Sequence, residues 1–247
     1  MPIDRHIPAN PHRSLFENQI KCGICNAKMV RKQLHRQSNM RVYICPACRS
    51  NSDSPAQNYQ YPLNDLMYDA AKAIRKERRI AIRVGVKVLQ AQQEQKVAAV
   101  RQYYHAKIDL CTDRTRSIVQ SINNLFLDTP PDEPFSVQTM RKYRSLQTQA
   151  EEQTAKAAEW ADILLTFLYE FHLKNKWYIL YSTIPEDFML TRELARTVIQ
   201  QIILTPEKEP KIILKRQAER SCLENCLTII GKVEISNLRK EEHRHDK

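Results

Sequence analysis

From Leu63 to Leu127 the apolar positions repeat at spacings of four and three. One seam runs Leu63, Met67, Ala70, Ile74, Glu77, Ala81, Val84, Val88 and Ala91, with Glu77 its one polar member. A second runs Val97, Arg101, Tyr104, Ile108, Cys111, Thr115, Ile118, Ile122 and Leu125. This spacing places apolar side chains on one face of a helix and predicts two long helices. The phase breaks between Ala91 and Val97, across the polar stretch QAQQEQK, where a bend or a change of packing partner is expected. DTPPDEPF then supplies three prolines and predicts a turn. Past it, Tyr143, Leu146, Ala150, Gln153, Ala157, Trp160, Leu164, Phe167 and Phe171 form a third seam. A short loop between seamed helices predicts an antiparallel coiled-coil hairpin. At 1.5 Å per residue the arm is roughly 45 Å long.

Elsewhere the pattern is shorter. Between residues 29 and 44, MVRKQLHRQSNMRVYI reads as two short strands around a polar turn, with Val30, Leu34, Val42 and Ile44 as apolar members. WYILYSTIP is apolar and aromatic and is expected to pack at the base of the arm. Glu186 to Ile203 reads as helix, with Thr191 as its cap, and Lys211 to Lys215 as strand. The terminal LRKEEHRHDK is charged and reads as disordered.

The two-stranded segment is bracketed by cysteines. Cys22 and Cys25 precede it, and Cys45 and Cys48 follow it, giving C-x2-C-x19-C-x2-C. Paired thiolates at this spacing suit tetrahedral zinc, and four filled positions leave none open for catalysis. A redox pair needs one C-x-x-C near a βαβ pattern, which is absent here; an iron–sulfur cluster is the remaining alternative, and the spacing is not the ferredoxin one. His35 reads as a turn residue. Cys111, Cys222 and Cys226 read as structural.

Composition narrows the partners. The chain of 247 residues carries a net charge of +11, which favours a polyanion. Residues 1–62 hold nine Lys and Arg against three Asp and Glu. Within the ribbon, Lys28, Arg31, Lys32, Arg36, Arg41 and Arg49 are the candidate contacts to duplex DNA. Residues 72–101 hold nine Lys and Arg against two Glu, and IRKERRIAIR is a second basic run. Only 3 glycines argue against phosphate-cradling loops and for long helices. No apolar run spans a membrane and no leader is recognisable, so a cytoplasmic location with reduced thiols is expected.

NPHRSLFENQIKCGICNAKMVRK followed by YICPACR resembles the recombinase zinc β-ribbon of large serine recombinases. Asn10, Pro11, Leu15, Phe16, Cys22, Gly23, Cys25 and Met29 follow that family's pattern, with departures at Ser14 and Asn26, where the family often has glycine. PLNDLMYDAAKAIRKE resembles the helix after the family's ribbon. LTRELARTVIQQIILTPEKEPKIILK resembles its return segment after the coiled coil. The family's catalytic domain precedes its ribbon. Here the ribbon opens about twenty residues after Met1, and Ser14, Ser38 and Ser50 lie in or near turns, so no catalytic residue is expected.

The expectation is an α+β chain, mostly α, in four parts. Residues 1–62 form the N-terminal arm and zinc ribbon, and 63–180 the helical hairpin. Residues 181–216 form a return helix and strand near the ribbon, and 217–247 a partly disordered tail. The resemblance implies a non-catalytic module that binds double-stranded DNA and regulates synapsis through its coiled coil. Ile118, Ile122, Leu125 and Phe126 at the arm's tip would dock recombinase subunits or a second copy. The alternative is an interaction protein that binds an intact recombinase through the arm, with little DNA binding of its own.

Overall fold

The computed structural model describes residues 14–34, 40–128 and 136–245, the stretch 238–245 as backbone alone. Three strands come first: β1 (Ile20–Cys22), β2 (Val30–Gln33) and β3 (Arg41–Ile44). A single helical turn, α1 (Pro46–Arg49), and strand β4 (Gln60–Pro62) lead into the long helices α2 (Leu63–Gln93), α3 (Lys96–Leu127) and α4 (Val137–Glu170). Then follow α5 (Lys176–Ser182), α6 (Arg192–Val198), β5 (Ile199–Leu204), β6 (Lys211–Leu214) and α7 (Gln217–His245). The fold is α+β and mostly α, as the periodicities predict.

Two compact units result. The first joins residues up to Val84 with Lys176–Arg220. It holds both sheets. β2, β3 and β4 form an antiparallel ribbon. β1 pairs in parallel with β5, which pairs antiparallel with β6. The strand that carries Cys22 is thus held by the C-terminal return, with Cys22 opposite Leu204. Gln19 locks the same junction: its Nε2 donates to the carbonyls of Ala195 and Ile199 at 3.1 and 2.6 Å. The buried Tyr181 hydroxyl donates to the carbonyls of Val198 and Lys215, at 3.2 and 3.1 Å, tying the start of β5 to the end of β6.

Leu66, Ala70, Ile74, Glu77 and Ala81 bury one face of α2 in this unit. Buried Glu77 accepts hydrogen bonds from Trp177 Nε1 at 2.8 Å, Gln217 Nε2 at 2.9 Å and Arg220 at 2.9 Å. Three donors converge on one carboxylate, which offsets the cost of burying its charge.

The second unit joins Gly85–Asn175 with the chain from Ser221 onward. Its centre is the antiparallel pair α3 and α4. Tyr104 packs on Trp160 at 5.8 Å between ring centroids, and Phe126 on Tyr143 at 5.6 Å. Lys107 sits over the Trp160 ring at 4.0 Å. Every position of the predicted α4 seam is buried or half-buried. The bend expected near residues 90–96 is present: α2 ends at Gln93, and Gln95 takes a left-handed φ of 53° before α3 begins.

Two expectations are corrected. The helix predicted over 186–203 is confined to α6, and Ile199–Leu204 is strand β5. Thr191 caps α6, accepting from the Leu194 amide at 3.1 Å. Ile199, Ile202 and Leu204 are fully buried, and β5 lies between β1 and β6, so sheet pairing overrides helical pattern in this β-branched run. The tail read as partly disordered is helical through His245. Leu223, Cys226, Ile230 and Val233 form a buried stripe at helical spacing, and Lys96 pairs with Glu234 at 2.8 Å.

Candidate metal centre

Each cysteine pair rests on a local turn. At the first, the Cys22 amide donates to the Ala27 carbonyl at 2.9 Å, and the Cys22 carbonyl accepts from the Asn26 amide at 2.9 Å. Asn26 closes this turn at a φ of 58°. Asparagine tolerates the left-handed region better than most residues with a Cβ, so it suits this position. At the second, Cys45 caps α1: its Sγ accepts from the Cys48 amide at 3.5 Å, and its carbonyl accepts from the Arg49 amide at 3.0 Å. Pro46 opens that helical turn with a preset φ.

The four sulfurs converge. Cys25 Sγ lies 3.4 Å from both Cys45 Sγ and Cys48 Sγ, and Cys22 Sγ lies 3.7 Å from Cys48 Sγ. All four lie within 4.8 Å of one another. A metal with four thiolates at about 2.3 Å separates neighbouring sulfurs by about 3.8 Å. The observed spacings surround that value, so the residues fit a tetrahedral ion. Among the described residues these four are the one cluster of three or more His, Cys, Asp or Glu close enough to share a metal.

The thiols are electrostatically unequal. The Ala27 backbone, with the Cys45 and Cys48 thiols, holds Cys25 down at about 7. Burial pushes Cys45 up to about 12. Four thiolates this close repel one another, and a cation removes that conflict. Cys22, Cys45 and Cys48 are buried and Cys25 is exposed, so an ion can enter past Cys25. Cys222 and Cys226 do not join a cluster. Burial pushes the Cys226 thiol up to about 12, which suits a packing role.

The predicted DNA contacts are divided by the ribbon's pleat. Arg31 lies opposite Tyr43, and Gln33 opposite Arg41, which puts Arg31 and Arg41 on one face. Lys32 lies opposite Val42 and belongs to the other face. Lys28 hydrogen-bonds Asn18, and Arg49 is exposed in the last turn of α1. Arg36 lies outside the described residues.

At the arm's end, Ile118, Ile122 and Leu125 are half-buried along the phase of α3 that holds Tyr104 and Cys111. Phe126 is exposed on one side and meets Tyr143 edge-on at its ring. The most exposed apolar side chains at this end are Leu127, 81% exposed, and Val137, 71% exposed. Sequence reasoning passed over both because it followed the seam, which a partner helix covers. Their off-seam positions were the available signal.

No family model, curated protein or solved structure matches this chain. Among the described residues, no helix is long and apolar enough to cross a membrane.

Proposed function

We propose that this chain is a DNA-binding and subunit-contact module of the large serine recombinase type, built on a structural zinc ribbon. The observation that carries the reading is the four-sulfur cluster at tetrahedral spacing, set in a short basic ribbon that is followed in the chain by the long helix α2 and then the antiparallel hairpin of α3 and α4. Cys22, Cys25, Cys45 and Cys48 would hold zinc, which cross-links two turns too small to bury a core of their own. The ribbon's Lys28, Arg31, Lys32, Arg36, Arg41 and Arg49 supply phosphate contacts to duplex DNA. The hairpin extends about 48 Å, at 1.5 Å per residue, and presents Phe126, Leu127 and Val137 for contact with a second copy or a recombinase subunit. The chain itself neither nicks nor joins DNA in this reading, and the catalytic serine comes from its partner.

The test is salt-titrated binding to duplex DNA. Affinity should fall with salt at a slope of about −0.9 for each phosphate neutralised. The combined variant Arg31→Ala, Lys32→Ala, Arg36→Ala and Arg41→Ala should lose most binding while keeping its metal. Salt-insensitive or absent DNA binding, together with capture of a recombinase subunit, would instead favour a protein-interaction regulator. A serine-linked adduct between this chain and DNA would overturn the reading.

A further inference from the structure

One basic segment is left unassigned by the ribbon. On α2, Lys72, Lys76, Arg79 and Arg83 are exposed and recur at spacings of four, three and four. At 3.6 residues per turn they fall within a sector of about 60°, centred opposite the buried face of Ala70, Ile74, Glu77 and Ala81. Tyr68, 65% exposed, lies one turn before Lys72 at the edge of that sector. Arg75 borders the stripe and stacks on Phe188 at 5.4 Å from its ring centroid. Arg78, outside the stripe, is tied to the Ile184 carbonyl at 2.7 Å.

None of the four stripe residues pairs with a carboxylate among the described residues. Glu77, the one acid between Lys72 and Arg83, points to the opposite side and is buried. Like charges at i,i+3 and i,i+4 repel on a helix, so the stripe destabilises the free chain. A solvated face has no need of that arrangement, whereas a polyanion removes the repulsion.

We infer that this stripe of α2 is a second tract for the phosphate backbone of duplex DNA, separate from the ribbon and reading no bases. Lys72 to Arg83 covers about 16 Å of a straight helix. Counting both strands, duplex DNA carries one negative charge per about 1.7 Å of axis, so phosphates lie within reach along the whole of that length. Single-strand binding uses successive aromatic platforms, and the stripe offers Tyr68 alone. Tyr68 can donate its hydroxyl to a phosphate oxygen at the stripe's end. The inference rests on the proposed DNA-binding role and adds a surface to it.

The experiment uses the full chain and a 30-base-pair duplex of arbitrary sequence, about 30 being ample for a tract of this length. Lys72→Gln, Lys76→Gln, Arg79→Gln and Arg83→Gln are combined. Glutamine keeps helix propensity, so zinc content and far-ultraviolet circular dichroism should be unchanged. The slope of log affinity against log salt should become shallower by about 3 to 4, from about 0.9 per contact. The variant without DNA should melt at a higher temperature than the parent, a gain that mere structural damage would not give. Arg79→Lys with Arg83→Lys should restore the slope, because phosphate tracking needs charge alone. An unchanged slope in the glutamine variant overturns the stripe, while loss of binding in a ribbon variant would leave the ribbon's role intact. If the stripe variant loses binding and the ribbon variant keeps it, the stripe stands and the ribbon's role falls. Stronger binding of the intact chain to double-stranded RNA or to an acidic protein than to duplex DNA overturns the choice of partner.

Discussion

Gly23 lies against Thr205 so closely that a Cβ on residue 23 would sit 2.0 Å from Thr205 Oγ1 and 3.1 Å from its Cβ. The contact arises because β1 continues into the first cysteine turn beside β5, and the Gly23 amide donates to the Leu204 carbonyl at 2.8 Å. The first cysteine pair therefore depends on a strand far along the chain, where Leu204 stands opposite Cys22. Gly23 is needed for space; its φ is not in the left-handed region.

Gly23→Ala should destabilise the first unit by about 1–3 kcal/mol, the usual cost of forcing an extra methyl into a packed site. Metal affinity should fall with it, because the turn that aims Cys22 and Cys25 must shift. Thr205→Ala in the same chain should recover part of the loss, since it removes the Oγ1. Thermal melting and metal competition of the single and double variants measure both effects. No recovery in the double variant would mean that the strain lies elsewhere.

The purified chain should contain about one zinc equivalent, from the four-thiolate donor set. Cys45→Ser should lose it, because Cys45 supplies a sulfur and also caps α1. Chelation should melt the ribbon while leaving most helical signal, as α3 and α4 pair in the other unit. Elemental analysis and circular dichroism read the two outcomes. A metal-free chain with an equally stable ribbon would refute the assignment.

Glu77→Ala should cost about 3–5 kcal/mol, because it leaves Arg220, Trp177 and Gln217 without the acceptor they share. Glu77→Gln should cost less, since an amide oxygen still accepts from Trp177. Denaturant unfolding of the two variants orders them. Equal stability of wild type and Glu77→Ala would show that the three donors find water at no cost.

Replacing residues 105–159 by a short linker should preserve zinc content and abolish association with a second copy or a recombinase subunit. The cut falls between Tyr104 and Trp160, which pack on each other, so the shortened hairpin keeps an aromatic closure. Mass in solution, with and without DNA, reports the change. Undiminished association would move the docking surface away from the arm.

Local pattern determined much of this protein. The four-cysteine cluster was readable because two C-x-x-C pairs each make a turn within a few residues. The hairpin seams and the break near Gln95 were readable because a buried helix face repeats at a fixed period. The α7 stripe of Leu223, Cys226, Ile230 and Val233 was also present in the sequence, but its charged end hid it. Tertiary structure decided the rest. Ile199–Leu204 carries apolar residues that suit either a helix or a buried strand, and only pairing with β1 and β6 selects the strand. Glu77 stood out as a polar break in an apolar seam, yet its donors lie 100 and more residues away. The pleat sends Arg31 and Lys32 to opposite faces, so basic residues adjacent in sequence are not one surface. The spacing of Lys72, Lys76, Arg79 and Arg83 on α2 lay in the sequence, but that none of them pairs with a carboxylate among the described residues is set by what packs around the helix. Periodicity reports which face of an element is buried, and long-range contacts decide what buries it.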